Sequence, residues 1–282
     1  MTEEVALLIQ QEGLSAKAIE AFRDVVYEHY RRSGRLFPWR TTDDPYCILV
    51  SEVMLQQTQT ARVLAKYERF IDAFPDLASL AAAPLHAVLE AWQGLGYNRR
   101  ALALHRLAQT VVGSFAGRLT SSPELLVQLP GVGRYTAGAV AALAFNQPTV
   151  FVDTNIRAVF LHFFFPGQQG VSDRQVLPLV EATLDRASPR EWYYALFDYG
   201  AMLKVSENHT RRSAHYRRQT PFKGSNRELR GQVLRLLLAH PGLSEAEIGE
   251  ALQEGAGRVG DMLRQLEREG FLTIEDGRVN LR

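Results

Sequence analysis

Glu52 lies in Ser51-Glu52-Val53-Met54-Leu55-Gln56-Gln57-Thr58-Gln59. Helical spacing puts it on one face with Ile48, Leu49, Leu55 and Gln56. A carboxylate among apolar neighbours loses hydration and its pKa rises, so it can act as a general acid near neutral pH. The same spacing also fits a glutamate at a helix edge that reaches water. Gln56, Gln57 and Gln59 are three amides near an apolar stripe, and amides need partners. Base edges could supply them.

The sharpest local motif is Leu129-Pro130-Gly131-Val132-Gly133-Arg134-Tyr135-Thr136-Ala137-Gly138-Ala139-Val140. Two glycines one residue apart allow a tight, backbone-exposed hairpin. A helix starts at once after it, so Gly131, Val132, Gly133, Arg134, Tyr135 and Thr136 can aim free N–H groups at an anion such as a phosphate. That contact needs no base-specific readout. Twenty residues after Gly133, Asp153 follows the apolar run Val150–Val152 and precedes a helix with Ile156, Arg157 and Val159. Its default role is a helix N-cap. A carboxylate fixed there, beside a phosphate-binding hairpin, could also stabilise a developing sugar cation.

These groups must be positioned by helices. Ile19, Phe22, Val26 and Tyr30 recur at three and four residues, and the apolar spacing after Pro45 predicts a second helix running to about Phe70. Shorter helical segments follow, separated by Gly-containing turns, and strand patterns are scarce. From Lys204 to Arg230 there are eight Lys/Arg against two Asp/Glu, which fits a solvated linker or a phosphate-contacting surface. The tail after residue 225 predicts three helices: Arg227–His240, Glu245–Leu252 behind a Ser244/Glu247 capping box, and Arg258–Glu269 ended by Gly270. A hairpin with an Asp276-Gly277 turn completes a winged-helix-like unit.

The whole chain has 282 residues, net charge +1 and 46% hydrophobic residues, an ordinary globular composition that excludes a disordered chain. Its single cysteine, Cys47, excludes an internal disulfide, a four-cysteine zinc site and a cysteine-ligated iron–sulfur cluster. Cys47 itself reads as a small buried hydrophobe. The acidic start Met1-Thr2-Glu3-Glu4 gives no secretory signal, and the longest apolar run, Thr136–Phe145, is about half a membrane span. The expectation is a soluble monomer of the cytoplasm, associated with the nucleoid and not with a membrane.

Together these motifs are similar to the MutY family of adenine DNA glycosylases, within the helix-hairpin-helix (HhH-GPD) superfamily of base excision repair. The resemblance covers roughly Phe37 to Tyr199. It is carried by Phe37-Pro38-Trp39-Arg40, Pro45-Tyr46, the Glu52 segment, Gly94-Leu95-Gly96-Tyr97, the hairpin, Val152-Asp153-Thr154-Asn155 and Asp198-Tyr199-Gly200-Ala201. It implies an all-α, two-lobed fold with the target base flipped into the cleft between the lobes. Residues 1–224 would form the core: a six-helix barrel over about 44–153 with the hairpin 129–140, a second lobe from 15–43 and 154–203, and a basic segment 204–224. Residues 225–282 would form the winged-helix-like domain.

By the same resemblance, Glu52 protonates the departing base. Asp153 stabilises the oxocarbenium-like sugar and its attack by water. Tyr135 and Asn155 support Asp153, while Trp39, Arg40 and Asp198 wall the adenine pocket. Gln57, which also belongs to the pocket, and Tyr97 wedge into the duplex. Tyr135 stands where bifunctional relatives carry a Schiff-base lysine, which implies a monofunctional enzyme.

The chain departs from the family in three places. A gapless carry-over of the family's cluster cysteines falls on Lys204, Arg211, Ala214 and Thr220, so no cluster is expected. Arg211, Arg212, Arg217 and Arg218 are expected to contact the DNA backbone there. The winged-helix-like tail is expected in place of the family's C-terminal domain that inspects 8-oxoguanine, which leaves the reading of the opposite base open. Asn98 follows Tyr97, as also suits thymine mismatch glycosylases. No cofactor is expected, and whether a monovalent cation sits at the hairpin carbonyls stays open. The expected partner is double-stranded DNA with a mismatched or damaged base, and the leading reaction is excision of adenine opposite G or 8-oxoguanine. The alternatives are excision of T, U or an oxidised pyrimidine opposite G, and a non-catalytic DNA-structure-binding protein.

Overall fold

The computed structural model describes residues 2–206, 209–216 and 221–282. Arg217 and Arg218 of the basic segment lie outside the described residues. The described chain is helical apart from one hairpin. The first nine helices are α1 (Thr2–Glu12), α2 (Ala16–Ser33), α3 (Pro45–Leu55), α4 (Thr60–Ala73), α5 (Leu77–Ala82), α6 (Leu85–Ala91), α7 (Arg99–Ser114), α8 (Pro123–Leu126) and α9 (Arg134–Phe145). They are followed by α10 (Thr154–Phe163), α11 (Asp173–Thr183), α12 (Pro189–Ser206), α13 (Asn226–Ala239), α14 (Glu245–Leu252) and α15 (Ala256–Glu269), then strands β1 (Leu272–Glu275) and β2 (Arg278–Leu281).

The contacts gather the chain into two compact units. The first unit holds residues 1–52, 120–128 and 132–218; the second holds 53–119, 129–131 and 219–282. In the first, α2, α10 and α12 pack around Phe22, which is fully buried. Its ring meets Phe160, Phe163, Phe164 and Trp192 edge-on at 5.1–5.7 Å. Edge-to-face contacts place the positive ring edge on the negative face, and they fix the helices' rotation about their axes.

In the second unit, the tail forms as its pattern predicts. Ser244 and Glu247 close a capping box, Gly270 ends α15 at φ +86°, and β1 pairs antiparallel with β2. Val259, Met262, Leu263 and Leu266 are buried on one face of α15. The helix after Pro45 is the element that differs. It stops at Leu55 instead of running to Phe70, because Gln57 takes a left-handed conformation at φ +53°. A new helix starts at Thr60 with Gln59 as N-cap. No described helix is long and apolar enough to cross a membrane.

Candidate active site

The first unit brings Glu52, Tyr135, Asp153 and Asn155 together. Glu52 sits on the last full turn of α3 with 5% of its surface exposed, so it does not reach water. Tyr135 opens α9, and its hydroxyl donates to Glu52 Oε2 at 3.0 Å. The tyrosine ring stands edge-on to Phe151 at 5.6 Å, and Phe151 stacks on Tyr193 at 4.0 Å. Gly138 lets this cluster close, since a Cβ there would press on Phe151 at 3.2 Å. Burial pushes the Glu52 carboxyl up to about 7; the Tyr135 hydrogen bond opposes this, and the nearby charge of Asp153 adds to it. Burial, with the carboxylates of Glu52 and Asp153, holds the Tyr135 phenol well above its usual value, so it remains a donor.

Asp153 is the N-cap of α10. Its Oδ1 accepts from the backbone N–H of Asn155 at 2.8 Å and of Ile156 at 2.6 Å. Its Oδ2 accepts from Asn155 Nδ2 at 2.9 Å. Burial raises its pKa, against the helix N–H groups, Lys204 and Arg157. The capping role and a catalytic role are therefore compatible. The cap fixes the carboxylate, and the N–H donors favour its charged form.

Arg40 and Asp198 are also adjacent, but as a packed ion pair. Asp198 on α12 accepts from Arg40 Nη1 and Nη2 at 2.8 and 2.9 Å, from Arg35 Nε at 2.7 Å and from the Arg35 backbone N–H at 2.8 Å. Burial raises its pKa, but the two arginines outweigh it and hold the carboxyl below its usual range. Trp39 is buried and stacked on Phe37. Asp198 thus has its acceptors filled by Arg35 and Arg40, which tie the Pro38–Arg40 turn to α12.

At the hairpin, α9 begins with Gly133 as an N-cap that makes no side-chain capping bond. The N–H groups of its first turn are therefore not capped by that residue. Gly131 has φ +75°, and a Cβ on it would lie 2.6 Å from the Ala103 Cβ, so only glycine fits. Gly133 and Arg134 are exposed, whereas Val132 and Thr136 are buried. Thr136 can therefore offer an anion its backbone and not its hydroxyl.

In the second unit, Gln56 and Tyr97 lie beside a residue that sequence reasoning missed. Arg100 donates from Nη1 to the carbonyls of Val53 and Met54 at 2.8 and 2.7 Å. Its Nη2 donates to Thr58 Oγ1 at 2.9 Å and to the Gly96 carbonyl at 3.1 Å. Its guanidinium lies over the Tyr97 ring at 5.5 Å. It therefore ties the end of α3 to the 94–97 turn, where Tyr97 is held at φ +49° and 38% exposed. Gln57 is exposed, and half-buried Gln56 lines a cavity with Arg99, Arg100, Pro130 and Gly131.

The basic segment divides. Arg211 is exposed. Arg212, expected on the DNA backbone, instead donates to the Phe165 and Leu161 carbonyls at 2.8 and 3.1 Å, where α10 ends. Carbonyls at a helix C-terminus lack intrahelical partners, and a guanidinium satisfies them. The segment is also pinned by a parallel bridge between Val171 and Ser213. A cysteine-ligated iron–sulfur cluster does not fit the residues here. The chain's one cysteine lies on α3, and Lys204 points its ammonium at Asn155. Among the described residues, no three His, Cys, Asp or Glu side chains gather as a metal site.

Buried carboxylates beside a helix-hairpin-helix element define a class, and the comparisons agree. Residues 50–181 match the model of the HhH-GPD superfamily base excision DNA repair proteins. An adenine DNA glycosylase of Mycobacterium tuberculosis is 35% identical over 231 residues, 74% of this chain and 76% of that one. The mouse adenine DNA glycosylase is 35% identical over 241 residues, covering 81% of this chain and 46% of its own. The structure of a thermostable thymine-DNA glycosylase is similar at TM-score 0.58 and 27% identity, over 65% of this chain and 86% of that one. The chain belongs to the HhH-GPD superfamily, in its branch of MutY-like adenine DNA glycosylases. It spans about half the length of several of the relatives that it matches.

Proposed function

We propose that this chain is a monofunctional DNA glycosylase that excises adenine mispaired with G or 8-oxoguanine. The observation that carries the reading is Glu52: a buried carboxyl that holds a proton up to about pH 7, coupled to a second carboxylate, Asp153. Glu52 gives its proton to the departing base as the bond to C1′ breaks. Asp153 stabilises the positive sugar, and water then attacks C1′. The difference between the two environments supports these roles: among the described residues no N–H group donates to Glu52, whereas three donate to Asp153. Double-stranded DNA is the partner, held by the hairpin N–H groups and by exposed arginines.

The reading includes catalysis without a lyase step and without a cluster. Tyr135 occupies the hairpin position next to Glu52, and a phenol cannot form a Schiff base. Borohydride treatment should therefore trap no covalent DNA adduct, and purified protein should contain no iron. The thymine-DNA glycosylase likeness and Tyr97-Asn98-Arg99 support a second reading, removal of T or U opposite G. Duplexes carrying A:8-oxoguanine, A:G, T:G, U:G and 5-hydroxyuracil:G, incubated with protein and cleaved with alkali, decide between them. Cleavage at adenine is expected. Cleavage at T or U alone would move the substrate to the second reading, and no cleavage anywhere would leave a DNA-binding protein.

A further inference from the structure

One cation near Asp153 has no part in the chemistry so far. Helix α12 crosses α10 so closely at Gly200 that a Cβ there would lie 2.2 Å from the Asn155 carbonyl oxygen. No side chain fits. Lys204, four residues on and on the same face of α12, runs alongside Asn155. Its Nζ donates to Asn155 Oδ1 at 2.8 Å, and Asn155 Nδ2 donates in turn to Asp153 Oδ2 at 2.9 Å.

An amide has two different ends, and its neighbours choose between them. An ammonium can only donate, so it bonds only the amide oxygen. That choice turns Nδ2 toward Asp153, where it requires an accepting carboxylate oxygen. The other charged groups are disposed differently. Arg157 on α10 also acts on Asp153, but its guanidinium is bound bidentately to Asp173 at 2.7 and 2.8 Å. Arg35 and Arg40 are bound to Asp198. Among the described residues, Glu52 on α3 and Tyr135 on α9 also face Asp153. Among the described residues, Lys204 bonds a neutral amide and no carboxylate.

We infer that Lys204 is a positioning residue: it fixes Asn155 in the one amide orientation that donates to Asp153 and keeps Asp153 an ionised carboxylate during glycosidic cleavage. The inference rests on the glycosylase reading, in which Asp153 must be charged. Burial lowers the Lys204 pKa while Asp153 supports its charge, as expected for a cation held in place by that carboxylate.

The test is single-turnover excision against pH, with duplex affinity measured in parallel, for wild type, Lys204→Met, Lys204→Gln and Lys204→Arg. Lys204→Met should move the acidic limb of excision up by about one pH unit, a loss of about tenfold at a pH on that limb. Its affinity for DNA should stay within about twofold of wild type. Lys204→Arg should restore the wild-type limb, and Lys204→Gln, which keeps the donor without the charge, should not. Equal limbs for Arg and Gln would overturn the inference even if the Met variant does not fold. A loss confined to DNA affinity would also overturn it, as would a borohydride-trapped adduct that disappears in Lys204→Met. Wild-type inactivity on every duplex would instead overturn the glycosylase reading, and this inference with it.

Discussion

Glu52 keeps its proton because it is buried, and among the described residues Tyr135 alone donates to it. That arrangement has a price in stability with a definite sign. The folded state holds the Glu52 proton to about pH 7, while the unfolded chain loses it near the ordinary glutamate value of about 4.3. Between those values the folded state binds more protons, so the contribution of this group to stability falls as pH rises. Glu52→Gln removes the penalty. The variant should gain about 3 kcal/mol over wild type near pH 8 and little near pH 4. Thermal unfolding at both pH values checks this, and an equal difference at the two would contradict it. Burial raises the Asp153 pKa as well, but its oxygens are met by N–H donors that oppose the rise. The sequence showed both carboxylates and their local settings. It did not show Lys204 acting on Asn155, 49 residues away, or Arg40 on Asp198, 158 residues away. Contacts at such separations leave no local pattern to read.

At the scale of elements, two loops in the second unit carry the residues expected to enter DNA, and one arginine holds both. Arg100 satisfies carbonyls at the end of α3 and in the 94–97 turn. Burial lowers its pKa to about 10, so it remains charged at neutral pH. Arg100→Met leaves those acceptors without a donor. It should cost about 3 kcal/mol in stability and weaken duplex binding more than it slows excision at saturation. Denaturant unfolding and titration with a duplex check both parts; unchanged affinity would separate these loops from DNA. The break after Leu55 was not legible, since Gln56-Gln57-Thr58-Gln59 contains neither glycine nor proline. Arg100, distant in sequence, bonds the Val53 and Met54 carbonyls where α3 ends. The winged-helix-like tail was legible almost to the residue, because its capping box, glycine stop and Asp-Gly turn are all local signals.

At the scale of the whole molecule, a net charge of +1 conceals an uneven distribution. Part of the basic segment is structural, as Arg212 shows by closing the end of α10. The tail also consumes charge. Glu269 on α15 bonds Arg99, Arg230 and Gln265, and these partners overcome burial to hold its pKa at about 2. Arg211 remains exposed. Neutralising a phosphate contact lowers the slope of log affinity against log salt by about one for each contact. Arg211→Gln combined with Arg217→Gln and Arg218→Gln should flatten the salt dependence of duplex binding. Arg212→Gln should instead lower stability with the slope unchanged. The reverse result would place Arg212 on DNA. Composition alone could not make this division, because sequence counts arginines alike whether they meet solvent or a helix end.

In the proposed mechanism Glu52 delivers the proton that releases adenine. Single-turnover excision of adenine opposite 8-oxoguanine, with enzyme in excess, compares wild type with Glu52→Gln directly. The variant should bind the duplex as tightly as wild type and lose excision by about 1,000-fold or more, since a carboxamide has no acidic proton to give. Excision by Glu52→Gln at a rate close to that of wild type would contradict it.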